Sequence, residues 1–444
     1  MPRDLRLEDQ IDFLRDALDE AEAFPPSWRE DGDVQYLYRE GCLLVRSADV
    51  DPVLTGLVAV LRGEGEEGEE EEIRRSVQVE PVFQGVTRLR YRTREENDRP
   101  SVPDALTQLD DSLGIGTARP ESVVFGCGHA CPANEPEEVP QGTVDPFPAP
   151  QDDCRCHPSC DGKDVFVSVV DTGLLPNAAQ DHYWMAGVEG DPENPFVQGS
   201  DIRAYAGHGT FVAGCVRLTA PKAAIYVERD LLDADANYEG DIVPELSDAL
   251  DRSPDIVVFT FATHTRLNLS LPTFDALYET AIRPRKDLVI LAPAGNDGRR
   301  DVMWPAAYPW VVSVGALSAN WQSRASFSNF GGWVDVYAPG EDLVNAYATG
   351  DFVCQEAPNK GARRTYQGMA KWSGTSFSTP LVAGLIAARM SATGENGRQA
   401  ADALLRLARS QTARGVGPVL LPGQACSDPR PRHRSPSGKD CPDW

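Results

Sequence analysis

The 444 residues carry 42 lysines and arginines against 68 aspartates and glutamates, a formal charge of −26. So large an acidic excess excludes an electrostatic footprint on nucleic acid or on an anionic membrane surface, while 41% hydrophobic and 25% charged residues are the proportions of a folded globular chain. The length exceeds what one hydrophobic core usually serves, so a large domain and at least one smaller unit are expected.

The first thirty residues carry acids throughout and lack the apolar core of a secretory signal. No stretch elsewhere approaches the roughly 20 apolar residues of a membrane span. With Met1 taken as the true start, the expected location is the cytoplasm. Leu7, Ile11, Leu14 and Leu18 recur at helical spacing and predict an amphipathic helix ending before Phe24-Pro25-Pro26. A strand is predicted from Gln35 to Arg46 and a helix from Asp51 to Arg62. Two extended runs follow between Val77 and Arg92, broken near Gln84-Gly85, then a helix from Val102 to Leu113 and a short strand from Ser122 to Phe125. That order is the split βαβ pattern of a small ferredoxin-like α+β domain, placed at residues 1–126. The glutamate run from Glu64 to Glu72 repels itself, is interrupted by glycine and reads as a solvated loop.

Residues 127–163 read as a Pro/Cys-rich linker, in which prolines such as Pro132, Pro136, Pro146 and Pro148 deny the backbone regular hydrogen bonds. Within residues 164–412, the apolar runs Val165 to Val170, Ile256 to Phe261, Leu288 to Leu291 and Val311 to Val314 alternate with helical stretches. This is the pattern of an α/β fold, a parallel sheet with helices on both faces. Residues 413–444 turn proline-rich and polar and are expected to form a flexible tail.

Four segments carry chemistry. Val167-Ser168-Val169-Val170-Asp171-Thr172-Gly173 delivers an acid at the carboxyl end of a strand, where open parallel sheets build their sites. Gly207-His208-Gly209 sets a histidine between glycines that let the backbone crowd a neighbour. Trp372-Ser373-Gly374-Thr375-Ser376 leads into an apolar helical run with no charge before Arg389. A serine there can be the helix cap, and the same place aims a backbone N–H and the positive end of the helix dipole at an anion. Ala294-Gly295-Asn296-Asp297-Gly298 ends an apolar strand with an amide, a turn residue by default and also a donor suited to an oxyanion.

Taken together, these segments resemble the subtilisin-like serine peptidases, in which the triad runs Asp, His, Ser along the chain. Asp171-Thr172-Gly173, His208-Gly209-Thr210 and Gly374-Thr375-Ser376 match the three signatures, and Ala294-Gly295-Asn296 matches the oxyanion segment. The resemblance implies a serine endopeptidase of subtilisin-like α/β fold acting on a protein or peptide substrate, with Asp171, His208 and Ser376 catalytic and Asn296 in the oxyanion hole. It implies substrate contacts from Thr260, Phe261, Ala262, Ala294 and Gly295. Phe259-Thr260-Phe261-Ala262 departs from the family's Ser-hydrophobic-Gly strand, and Phe352 to Lys371 looks like an insertion ahead of the nucleophile. The amino-terminal unit resembles the family's prodomains and so implies intramolecular inhibition; a recognition domain that is never cleaved is the competitor.

No cofactor is required by this chemistry. The resemblance suggests a structural calcium, for which no loop shows an assignable ligand spacing. Cys127, Cys131, Cys154, Cys156 and Cys160, with His129 and His157, leave free thiols, disulfide pairing and a zinc site open, in that order of preference. Three other functions remain to be separated from endopeptidase activity: an inactive peptide-binding relative, an acid-acting relative using Glu and Asp, and an α/β-hydrolase, whose G-x-S-x-G the segment from Gly374 fails at Ser378.

Overall fold

The computed structural model describes residues 9, 11, 26–28, 34–63, 70–92, 100–126, 134–150, 160–196, 201–231 and 236–426. The predicted helix from Leu7 to Leu18 lies outside them except at Asp9 and Ile11.

The amino-terminal part contains β1 (Pro26–Trp28), β2 (Val34–Arg46), α1 (Val50–Arg62), α2 (Glu70–Ser76), β3 (Gln78–Phe83), β4 (Val86–Arg90), α3 (Val102–Leu113) and β5 (Ala118–Phe125). Its antiparallel sheet has the order β5-β2-β4-β3, with β1 on β2. Counted along the chain, the four principal strands stand 4-1-3-2, the order expected of the split βαβ pattern. Val53 and Leu57 of α1 and Leu106 and Leu109 of α3 pack with Leu43, Val45 and Leu89 of the sheet, forming one core. Two local expectations are corrected. The acidic run is helical from Glu70, because its glutamates sit in the first turn of α2, Arg74 and Arg75 in the last, and Ile73 is buried. Strand β5 is also longer than foreseen.

The remainder contains β6 (Phe166–Asp171), β7 (Val188–Gly190), β8 (Asp201–Ile202), α4 (His208–Thr219), β9 (Ala224–Arg229), β10 (Ala236–Tyr238), α5 (Glu239–Asp251), β11 (Ile256–Phe259) and α6 (Pro272–Leu277). It continues through β12 (Val289–Pro293), β13 (Val311–Leu317), β14 (Val336–Pro339), β15 (Leu343–Val353), β16 (Arg363–Trp372), α7 (Thr375–Thr393) and α8 (Gly397–Ser410). Seven strands form a parallel sheet in the order β14-β13-β12-β11-β6-β9-β7. Successive side chains of a strand face opposite ways. Val167, Val169 and Val258 therefore pack with α4, α7 and α8 on one face, while Val170, Val257 and Phe259 pack with α5 and α6 on the other.

Three connections depart from expectation. Beyond Gly415 the described tail returns to the body: Val419 bridges Tyr337 in parallel, Leu420 is fully buried and Cys426 is disulfide-bonded to Cys160. The other four cysteines of the cluster lie outside the described residues, as do residues 427–444. The linker residues 134–150 are not loose, since Glu137 bridges Lys371 and Phe147 bridges Val344. The expected insertion is the hairpin β15–β16, with β16 as the edge of a three-stranded sheet that also takes in β8. No helix of the described residues is long and apolar enough to cross a membrane.

Candidate active site

Asp171 closes β6 at the carboxyl edge of the sheet and is fully buried. Its Oδ1 accepts the Thr172 N–H at 2.7 Å, and both its carboxylate oxygens stand 2.9 Å from His208 Nδ1. A ring nitrogen facing two carboxylate oxygens carries its proton, which leaves Nε2 as the basic nitrogen. His208 opens α4, after Gly207 at φ 81°. The flanking glycines have different tasks. Gly207 supplies the left-handed turn into the helix. At Gly209 a β-carbon would lie 2.5 Å from the Gly173 carbonyl oxygen and 3.1 Å from Asp171 Cβ, so only glycine lets α4 come down onto the aspartate turn.

Ser376 is the second residue of α7 and is fully buried. The expectation that it caps this helix is corrected: Gly374 holds the cap position, and no side chain caps the helix. Helix α7 is pressed against α4 along a small-residue seam, where a β-carbon at Gly384 would meet the Val216 carbonyl oxygen at 2.6 Å and Thr219 Oγ1 donates to the Leu381 carbonyl at 2.9 Å. That contact sets the head of α7 beside the head of α4. The His208 ring lies 5.2 Å from the Phe377 ring and 5.6 Å, edge-on, from the Trp372 indole, the aromatic residues on either side of the Ser376 turn.

Asn296 follows β12. Its Oδ1 accepts both the backbone N–H and the hydroxyl of Thr375, each at 2.9 Å. Because a backbone N–H can only donate, this contact fixes which way the amide faces and turns Nδ2 to the other side. The loop beyond is braced: Asn329 Oδ1 accepts from Asp297 N at 3.1 Å and Arg299 N at 2.9 Å, and Asp297 lies 3.3 Å from His264 Nε2. Gly295, at φ 97°, donates its N–H to Thr375 Oγ1 at 3.2 Å, and Ala294 donates its N–H to the Val314 carbonyl at 2.9 Å.

The remaining expected substrate contacts divide. Thr260 is buried and donates its hydroxyl to the Val170 carbonyl at 2.7 Å. The Phe261 side chain is fully buried, stacked 5.1 Å from Phe259, in the cluster that also takes in Val124 of β5. Ala262 presents its backbone and is already engaged: Phe125 donates to its carbonyl at 3.2 Å and accepts its N–H at 2.8 Å. Strand β10 pairs antiparallel with the same segment, Ala236 against Phe125 and Tyr238 against Val123. The end of β5 is thus held between β10 and Ala262.

Sequence reading missed Thr375, which ties Asn296 to the Ser376 turn, and Glu193. The Glu193 carboxylate is 2% exposed, accepts the Gly207 N–H at 3.0 Å and stands 3.8 Å from Arg203. Burial pushes its pKa up to about 8. Only its position in Pro192-Glu193-Asn194-Pro195, an acid in a proline-framed turn ahead of the histidine, hinted at a fixed role. Among the described residues, no group of three or more His, Cys, Asp or Glu is placed to hold a metal ion.

Residues 162–418 match the model of the subtilase family. The chain is 29% identical over 255 residues to the thermophilic serine proteinase of Bacillus sp. (strain AK1), covering 56% of each. It is 27% identical over 237 residues to subtilisin Savinase of Lederbergia lenta, covering 51% of this chain and 76% of that protein. The chain spans about half the length of the first curated relatives it matches. The crystal structure of fervidolysin from Fervidobacterium pennivorans, a keratinolytic enzyme related to subtilisin, aligns at a TM-score of 0.56 and 17% identity, over 91% of this chain and 62% of that one. At that identity the likeness concerns the fold alone.

Proposed function

The chain belongs to the subtilase family, and on that footing we propose that it is a serine endopeptidase whose reacting groups are Asp171, His208 and Ser376, with Asn296 in the oxyanion hole. The observation that carries this reading is the His208 imidazole, buried and held through Nδ1 by both oxygens of Asp171, at the head of a helix packed against the helix that bears Ser376. His208 Nε2 takes the Ser376 hydroxyl proton as Oγ forms a bond to the peptide carbonyl carbon, and the imidazolium so formed is stabilised by Asp171. Asn296 Nδ2 and the Ser376 N–H receive the oxyanion. The imidazolium then protonates the leaving amine as the C–N bond breaks, and water, deprotonated by His208, releases the acyl group. No step is routed through a metal, and calcium is assigned no site. A fluorophosphonate probe should label wild type at Ser376 and leave Ser376→Ala unlabelled. A folded wild-type chain that never reacts would favour the inactive peptide-binding reading.

The amino-terminal domain acts, in the same reading, as an intramolecular inhibitor. Support comes from β5 lying antiparallel to β10 and exchanging two hydrogen bonds with Ala262, the segment expected to hold substrate. Ion pairs join the two parts as well, Arg88 to Asp241 at 2.7 Å and Arg119 to Asp275 at 3.4 Å. Intact-mass comparison of wild type with Ser376→Ala tests it: autoprocessing shortens only the former, whereas full-length wild type would leave a recognition domain. The Cys160–Cys426 disulfide closes a loop spanning 266 positions. Such a bond persists in oxidising compartments, which pulls against the cytoplasmic expectation.

A further inference from the structure

Strand β16 is the edge of its sheet, with one row of backbone donors and acceptors facing away from β15. Edges of this kind take up extended peptides, main-chain bonds giving affinity and side chains giving selectivity. Here the occupant is the chain's own residues 134–138. Glu137 N donates to the Lys371 carbonyl at 2.8 Å and Lys371 N donates to the Glu137 carbonyl at 2.9 Å. The acidic side chains around this bridge are also engaged: Glu137 with Lys371 Nζ at 2.7 Å, Glu138 with Thr365 N at 2.7 Å and Glu135 with Gln355 N at 2.6 Å. Arg364 donates to the Pro136 carbonyl between them.

The location of this edge gives it meaning. Trp372, the last residue of β16, donates from Nε1 to the Asn134 carbonyl at 2.6 Å, and its indole is the one that abuts His208. Ser373 N donates to Asn134 Oδ1 at 3.1 Å, three positions before Ser376. The chain is therefore gripped at Phe125 by Ala262 and gripped again at Asn134 by the turn leading to Ser376. Its polarity runs from the first grip to the second. A substrate following the same path places residues before its scissile bond at Ala262 and residues after it along β16.

We infer that the β15–β16 hairpin is a binding edge for the part of a substrate on the carboxyl side of the scissile bond, and that it selects acidic peptides there. This rests on the endopeptidase reading above and names the substrate class of that same site. From β16 and the loop beside it Glu137 meets Lys371 Nζ, Glu138 the Thr365 N–H and Glu135 the Gln355 N–H, all outside full burial, so the individual contributions are modest and together favour an acidic substrate by about five- to twentyfold in kcat/KM.

The test uses internally quenched peptides spanning residues 118–142, with the cysteines as serine, one natural in charge and one with Glu135, Glu137 and Glu138 as glutamine. The enzyme is the full chain carrying E135Q, E137Q and E138Q, which weakens its own hold on the edge, with and without Lys371→Ala, all checked for folding by thermal melts. The expected result is a five- to twentyfold preference for the acidic peptide that falls at least threefold on Lys371→Ala. Equal kcat/KM for both peptides, or a preference untouched by Lys371→Ala, overturns the inference and leaves the endopeptidase reading standing. Failure to cut either peptide, with no fluorophosphonate labelling of Ser376, ends both. If labelling proceeds but neither peptide is cut, slowing of labelling by the acidic peptide 134–142 relative to its glutamine counterpart decides the same question, and equal slowing overturns the inference.

Discussion

Around His208 the surroundings are almost entirely apolar: Trp372, Phe377 and Phe211 form a cluster of rings, and the helix behind Ser376 buries Leu381, Val382, Leu385 and Ile386. The seam where β2, β4 and β5 meet α5 is charged instead. Glu121 is fully buried there and receives Arg88 Nε at 2.8 Å, with Arg39 at 3.5 Å and Asp241 beyond. His208 and Glu121 are both fully buried, but the consequences differ. Apolar packing gives a fixed geometry, while paired charges stabilise only so long as every partner stays in place. A fixed geometry beside a seam that can be undone suits the proposed inhibitory role of the amino-terminal domain.

The largest effect that would break this comparison belongs to the rigid side. Asp171→Asn keeps the shape but faces His208 Nδ1 with an amide, removing the carboxylate that holds the reactive tautomer. The expected loss is about 10⁴-fold in kcat on a quenched peptide, with the melting temperature changed little. A loss below tenfold would mean that the buried pair is structural and that the chemistry lies elsewhere.

On the charged side, Arg88→Ala leaves the Glu121 carboxylate buried with one remaining arginine, and removing one partner of a buried pair costs about 3–5 kcal/mol. Asp241→Asn offers the sharper contrast. Its side chain is 42% exposed, so the expected cost is under about 1 kcal/mol. Denaturant unfolding of the Ser376→Ala background, where no self-cleavage intervenes, measures both. Similar losses for the two would show that the seam is uniformly solvated and that the contrast with the surroundings of His208 is unfounded.

How much of this was legible follows the same division. Helix α3 is legible to the residue because its limits are local: Ser101 accepts the Asp104 N–H at its start, and Gly114 at φ 96° ends it. The placement of Asp171, His208, Asn296 and Ser376 at strand and helix ends is legible because buried parallel strands are unbroken apolar runs and the glycines sit where backbones crowd. The grip of β16 on residues 134–138 is not, since the partners lie more than 220 positions apart and no pattern in either predicts the other. The docking of residues 413–426 is illegible for the same reason: proline and polarity speak of local structure, and the anchors of this segment, Tyr337 and Cys160, are distant. From Glu70 the glutamate run is helical despite like-charge repulsion because the helix dipole and the burial of Ile73 favour the helix, and neither is visible in the charge pattern alone.

Glu193 joins the two regions, for it is a charged-type group placed inside the apolar one. Its Oε2 holds Gly207, the residue before His208, and Oε1 has no hydrogen-bond partner among the described residues. Burial raises its pKa from 4.5 to about 8. The folded state therefore binds a proton that the unfolded state releases above pH 4.5, so the stability linked to this proton is fully present below about pH 4.5 and is lost as pH rises through about 8. The whole swing is on the order of a few kcal/mol. Glu193→Gln cannot ionise but keeps an oxygen for the Gly207 N–H, so its melting temperature should decline less than that of Glu193 chains between pH 5 and 8, both measured in the Ser376→Ala background. In the active chain the same substitution removes a negative charge that would arise near Asp171 above about pH 8 and help hold the imidazolium. The alkaline limb of kcat/KM should consequently change shape while the plateau near pH 7 is preserved. Parallel melting curves for the two chains across that range would place the proton elsewhere, and Glu193 would then be an ionised partner of Arg203 that only braces the turn.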